Sequence, residues 1–367
     1  MNYPDSNDLY NGKFTDGDPL TGLPASQDSA EHMNAIYDEL IALIVASGLN
    51  PDATIKGQVL AAINNIRKDD LYDRTSDYLA TQGRKNLLIN GTPTIWQRGD
   101  SFSATGYAAD RWYTVLSSAT CSRDDIGMRV DISSAGGHCE FRQALENRVV
   151  KKLRGQELTF SVNLQSENAV GNVMLSVTWS DSTDAQLNIA AVVAEESFKL
   201  SPDFNESITF TVPATAVGLR VNIISDAQNS EAKIWLKNSQ LEFGRRQTHY
   251  EFRHESEEML LCKRYGSLES FDNYVGLGNI YLYNGNKGGG ISYKLTTPMR
   301  ATPSVTIKSG AVSVGESSAT ETVTSVSANA ISNNNSSIIG LSLAWTTAYG
   351  YSQAYGVRLT LFLDAEL

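Results

Sequence analysis

The chain is poor in the residues on which most enzyme chemistry depends. It has three cysteines (Cys121, Cys139, Cys262) and four histidines (His32, His138, His249, His254) in 367 residues. Cysteines so few and so scattered exclude a disulfide framework. They are expected to be reduced, half-buried small hydrophobes, with Cys121 and Cys139 able to face each other on neighbouring strands. No histidine lies in an HExxH or CxxC-plus-His pattern, so neither a metal site nor a cofactor is expected. GxSxG, Walker A and strand-linked GxGxxG motifs are all missing. The Gly-rich KGGGIS at 287–292 has no lysine or helix after it and reads as a tight turn. Charged residues are only 19% of the chain, with a net charge of −11. An acidic balance argues against a nucleic-acid partner, which needs clustered Lys and Arg to neutralise phosphates. No run approaches eighteen apolar residues, so no membrane insertion is expected. The first dozen residues are polar and acidic without an apolar h-region, which predicts folding in a cytoplasm.

What fills the gap is Ser, Thr, Asn and Gly, the mix of a β-protein with many turns. Residues 1–27 read as an extended arm. A helix is predicted over Asp28–Ala46. Asp28 and Glu31 resemble a capping box, Met33, Tyr37, Leu40 and Ile44 form a stripe at spacings of four and three, and Ile36 and Leu43 widen it. Gly48 and Pro51 stop it. A second helix is predicted over Thr54–Arg67. Two readings of the stripe stand open: self-association about a symmetry axis, with these six residues as a trimer interface, or an intramolecular hairpin.

From Asn86 the period changes to two. Leu158, Phe160, Val162 and Leu164 alternate with polar residues, as do Val173, Leu175, Val177 and Trp179, and later Leu219, Val221 and Ile223. This predicts an antiparallel, jelly-roll-like β-sandwich. The segment HESEEMLLCKRY (254–265), acidic first and basic last, predicts a short helix. Alternation then returns up to Val357, Leu359, Leu361 and Leu363. The fold expected is mainly β: arm (1–27), helical oligomerisation and attachment region (28–85), sandwich (86–250), linker helix (251–270) and a second, smaller antiparallel β-domain (271–367).

Acidic pairs such as Asp124/Asp125 and Asp181/Asp184 lie in turns, where solvated charge is the ordinary reading. A glycosidase would need two carboxylates at a defined separation in a cleft, and no catalytic residue is assigned. The C-terminal aromatic residues offer more. Tyr349, Tyr351 and Tyr355, beside the Asn333, Asn334 and Asn335 loop, combine flat rings with amides, which suits sugar recognition. Core or axis packing is the other reading of the same rings.

Four stretches carry a resemblance to phage tail-fibre and tail-spike proteins. They are ASQDSAEHMNAIYDELIALIVASGLNPD (25–52), NLLINGTPTIWQRGDSFSATGYAADRWY (86–113), SQLEFGRRQTHYEFRHESEEMLLCKRYG (239–266) and LFLDAEL (361–367). The resemblance implies a homotrimeric virion protein, non-enzymatic, bound through its N-terminal region to other tail or baseplate proteins. Its distal end would contact a bacterial surface glycan or other receptor. A virion adaptor and a polysaccharide depolymerase are the competing readings. Within the second stretch, Trp96, Tyr107 and Trp112 are expected to plug the sandwich. Arg98, Asp110 and Arg111 are expected to form a buried or semi-buried ion pair between the opening segment and the sandwich.

Overall fold

The computed structural model describes residues 10, 15–27, 30–66, 85–183, 191–273, 280–283, 288–314, 320–330, 338–344 and 353–367. The chain divides into two units, Met1–Asp77 and Tyr78–Leu367.

In the first unit, α1 spans Ala30–Ala46, and residues 58–66 form α2. α1 ends where the stripe ends. Gly48 takes φ +78°, its N–H donates to the Val45 carbonyl, and the Leu49 N–H donates to the Ile44 carbonyl. These are the two bonds of a helix stop that needs a left-handed residue, and glycine adopts it without a Cβ penalty. α2 begins four residues later than the pattern predicts, because residues 50–56 are occupied by a turn. Asp52 accepts from the Thr54 N–H at 2.8 Å, and Gln58 Oε1 accepts from the Asp52 N–H at 2.9 Å.

The second unit opens with twelve strands: β1 (Ser101–Phe102), β2 (Gly106–Tyr107), β3 (Tyr113–Ser117), β4 (Ala119–Asp124), β5 (Gly127–Ile132), β6 (His138–Leu145), β7 (Glu157–Glu167), β8 (Asn172–Ser180), β9 (Ala191–Lys199), β10 (Asp203–Thr211), β11 (Gly218–Ser225) and β12 (Lys233–Phe243). They form two six-stranded antiparallel sheets, ordered β1-β4-β5-β12-β7-β10 and β2-β3-β6-β11-β8-β9. The pairing register explains the burial. Leu219, Val221 and Ile223 stand opposite Leu145, Gln143 and Phe141 on one side, and Trp179, Val177 and Leu175 on the other. Phe160, Val162 and Leu164 do the same in the first sheet, and both inner faces share one apolar core. A period-two strand puts its apolar set on one face, so the sheets close over it face to face. The short helix α3 (Asn147–Leu153), unforeseen in the sequence, caps this core with Val150 and Leu153.

Next come α4 (Glu255–Lys263) and β13 (Gly266–Asn273), then β14 (Ile280–Tyr283), β15 (Gly288–Lys294), β16 (Ser304–Val314), β17 (Thr320–Thr322), β18 (Ser325–Ala330), β19 (Ile338–Ala344) and β20 (Gln353–Asp364). β13–β20 make one eight-stranded antiparallel sheet in which β20 pairs with β13, β14 and β16. The His254 ring caps α4 by accepting from the Ser256 N–H at 3.2 Å, and its first turn is acidic, as the macrodipole favours.

All three cysteines are free and fully buried. Cys121 and Cys139 lie in opposite sheets, on β4 and β6, and not on neighbouring strands. Burial pushes the Cys139 thiol up to about 12, so these are packing residues.

Candidate functional site

The densest charged chemistry among the described residues lies where the sandwich meets the C-terminal sheet. It starts with the opening segment, residues 86–98, which has no strand of its own and is held by side chains. The Asn86 carboxamide accepts from the Leu88 and Leu241 N–H groups at 3.0 and 3.1 Å. Asn90 adopts φ +57°. Its Oδ1 accepts from the Thr94 and Ile95 N–H groups, both at 3.1 Å, and its Nδ2 donates to the Ile95 and Asp110 carbonyls at 3.0 and 2.9 Å. The Trp112 indole donates to the Asn90 carbonyl at 2.7 Å. Glu258, on α4, accepts from the Asn90 N–H, which ties the helix to this turn. Trp96 and Trp112 both enter the sandwich core, as the sequence predicts. Tyr107 goes elsewhere: its hydroxyl donates to the Leu367 carbonyl at 2.9 Å.

This segment and the turn before β3 deliver one arginine each to the junction, Arg98 and Arg111. Arg98 meets Asp110 at 3.1 Å, Glu366 at 3.3 Å and Asp364 at 3.4 Å. It also lies over the rings of Tyr107 and Phe362, 5.1 and 4.6 Å from their centroids. Arg111 pairs with Glu366 and not with Asp110. Its backbone N–H donates to the same carboxylate at 3.1 Å, and its Nη2 to the Ala144 carbonyl at 2.5 Å. Its guanidinium sits 3.6 Å from the Tyr265 ring centroid. Arg111 is held at φ +71°, a left-handed conformation that costs a non-glycine residue about 1–2 kcal/mol and that the doubly used Glu366 offsets. Gly266 makes the approach possible, since a Cβ there would lie 2.8 Å from the Phe362 ring and 3.0 Å from Arg98 Nη2.

Two further links complete the junction. Gln97 donates to Asp110 and to the Gly266 carbonyl (2.9 Å), and accepts from the Leu268 N–H at 3.0 Å. Arg264 grips both oxygens of Glu146 at 2.8 and 3.1 Å, the bidentate geometry that makes Arg–carboxylate pairs strong. Burial works against ionisation of Glu146, but the hydrogen bonds from Arg264 and Tyr265 outweigh it and lower its pKa.

Burial pushes Asp110 up to about 6, against the pull of Arg98 and Gln97. A raised carboxyl beside Glu366 and Asp364 has one attribute of an acid–base pair. The side chains of Asp110 and Glu366, however, are 1% and 4% exposed, and both are engaged by guanidinium groups. The arrangement clamps elements together, with both carboxylates held in ion pairs. It has a consequence for pH. The folded pKa of Asp110 exceeds the unfolded value near 3.8, so its contribution is full below that value and lost as pH rises through about 6. Replacing Asp110 by Asn is expected to flatten the stability-against-pH curve between pH 4 and 6. Denaturant titrations at stepped pH would read this, and an unchanged slope would contradict it.

The predicted receptor residues Tyr349, Tyr351, Asn333, Asn334 and Asn335 lie outside the described residues. Tyr355 lies in β20, its side chain outside the described set. Among the stripe residues, Ile44 is buried within its own unit, Ile36 and Leu43 are half-buried, and Tyr37 and Leu40 are exposed; the Met33 side chain is outside the described set. Sequence reasoning missed Glu366, Gln97, Tyr265 and the Glu146–Arg264 pair. Only the quoted stretches hold a trace of them, since Gln97, Tyr265 and Glu366 fall inside three of the four. No described cluster of His, Cys, Asp or Glu could hold a metal ion.

The fold thus defined is an antiparallel β-sandwich joined through a helix to a second antiparallel sheet. No family model matches the chain, and no curated protein matches it. Solved structures similar to it include a CBM4 module at 14% identity, covering 42% of this chain and 98% of its own, with a TM-score of 0.31. The enzymatically active domain of bacteriophage CBA120 tailspike protein 4 is similar at 13% identity, over 44% of this chain and 22% of that one, with a TM-score of 0.30. The CBM22-1–GH10 modules of Clostridium thermocellum xylanase 10B share 20% identity over 41% of this chain and 29% of that one, with a TM-score of 0.27.

Proposed function

We propose that the chain is a non-enzymatic phage tail-fibre or spike protein. It mounts on the tail or baseplate through its N-terminal region and adsorbs to the host surface by multivalent glycan binding. One observation carries this reading. Three of the four tail-fibre-like stretches, far apart in sequence, supply the two faces of the same junction: Gln97, Arg98 and Asp110 from the first, Glu258, Arg264 and Tyr265 from the second, Asp364 and Glu366 from the third. That residues of these separate stretches meet in one junction supports reading the stretches together.

Three copies would associate through the helical unit. Tyr37, Leu40, Ile41 and Val45 on α1, and Leu60, Ile63 and Ile66 on α2, are exposed in the single chain. So much apolar surface on two helices is stabilised by packing against copies of itself. Weak sugar contacts on each arm then gain effective affinity from repetition on one particle. The full chain is expected to sediment as a trimer. A variant lacking residues 1–77 is expected to keep the unfolding transition of the second unit, to sediment as a monomer and to fail to join particles. Normal incorporation of that variant, or a full chain monomeric at micromolar concentration, would refute the assignment.

A further inference from the structure

The outer face of the second sheet has an unusual composition. Register places one residue from each of six strands in a single row: Tyr107, Tyr113, Arg142, Asn222, Ser176 and Glu195. At a strand spacing of about 4.8 Å such a row spans about 24 Å. Its neighbours Leu219, Val221 and Ile223 point into the core, so Asn222 points outward, yet it is only 2% exposed. Its orientation is fixed, because Nδ2 donates to the Ser176 carbonyl at 3.1 Å and to Thr178 Oγ1 at 3.3 Å. Its Oδ1 is buried and has no hydrogen-bond partner. An unsatisfied buried carbonyl costs about 1–3 kcal/mol, and native proteins leave few of them without a reason.

The groups around that oxygen define what would satisfy it. Arg142 stands opposite Asn222 and is paired with Glu140 through Nε (2.8 Å) and Nη2, which leaves Nη1 outside that pairing. Arg220, two residues along β11, has its pKa lowered to about 10, first by burial and then by Arg142, with Glu140 opposing. Tyr107 ends the row on one side, with the half-buried Tyr113 edge-on to it at 5.3 Å. Glu195 ends it on the other. The face thus carries a guanidinium donor, two carboxylates and a ring, with an acceptor that lacks a donor buried among its side chains. A partner must donate and accept at adjacent positions, which vicinal hydroxyls do. Glu140 and Glu195 disfavour an anionic polymer, as does the net charge of −11.

We propose that this face of the second sheet binds a neutral, hydroxyl-rich glycan chain laid across the strands, with a hydroxyl donating to Asn222 Oδ1 and an adjacent oxygen accepting from Arg142. The assignment rests on the adsorption reading above and names a surface for it in the sandwich, apart from the predicted C-terminal loops. The test uses the full chain on an array of defined oligosaccharides, neutral hexose and 6-deoxyhexose chains against uronate-containing ones, with host-cell adsorption measured in parallel. Wild type is expected to bind neutral chains. The double variant E140A/R142A, shown by circular dichroism and melting to be folded, is expected to lose roughly tenfold or more in affinity, the scale of one charged hydrogen bond. Trp235→Ala, on the outer face of the first sheet, is expected to bind as wild type does. Binding of uronate chains alone, undiminished binding by E140A/R142A, or loss only in Trp235→Ala would each overturn the proposal. If no array glycan binds while cells are still adsorbed, this face is refuted and the adsorption reading stands. Failure of both measurements refutes the two together.

Discussion

Replacing Glu366 by Ala is expected to be among the most destabilising single changes in the second unit. The carboxylate is the direct partner of Arg111 and of Arg98, whose side chains are 2% and 8% exposed. Its loss would leave one buried guanidinium without its ion-pair partner and deprive the strained Arg111 backbone N–H of its acceptor. Removing one member of a buried ion pair costs about 3–5 kcal/mol, because the remaining charge stays out of water. Glu366→Gln, which keeps an acceptor but no charge, should lie between that variant and wild type. The loss should be local. Urea unfolding is expected to show the C-terminal sheet separating from the sandwich before global unfolding, with protease cleavage appearing first near residues 264–268. A variant with wild-type melting and no new cleavage would show that the clamp contributes little.

The second large effect is expected at Asn90. Its side chain makes four hydrogen bonds to the loop around it, and its backbone is left-handed. Ala cannot make those bonds and dislikes that conformation, so the expected cost is on the order of 5 kcal/mol, at about 1 kcal/mol per lost bond plus about 1 for the backbone. Two companion variants separate the causes. Asn90→Gly relieves the backbone cost and keeps the hydrogen-bond cost. Asn90→Asp keeps the acceptor for Thr94 and Ile95 but loses the donor, and it places a carboxylate near Glu258, whose own carboxylate already accepts from the Asn90 N–H. The order expected in equilibrium denaturation is wild type, then Gly, then Ala. If Gly and Ala fall together, the left-handed backbone contributes nothing here.

Much of the architecture was legible in the residues because it depends on local periodicity. Strands such as Leu158–Leu164 and Leu219–Ile223 alternate because one side meets the apolar core while the other carries polar side chains, Thr159, Ser161 and Asn222 among them, even where these are buried, and that requirement is written into every second residue. The stop at Gly48 and the cap at His254 are equally local. The start of α2 was misplaced, because Asp52 and Gln58 hold a turn that hydrophobic spacing does not register. α3 was missed because seven residues with three bases give little periodicity to read.

By itself, then, the sequence determined the class of each segment, the absence of disulfide and metal chemistry as an expectation, and the order of helical and β-regions. Tertiary structure decided which charges meet. Arg98 and Asp110 are twelve residues apart and their pairing was foreseeable. Glu366 lies 255 residues from Arg111, and nothing in the spacing of either marks the other. The row from Tyr107 to Glu195 was equally hidden, because register between strands joins residues that share no local pattern. An ion pair or a sheet face depends on distances in space, whereas periodicity records only which side of its own element a residue occupies.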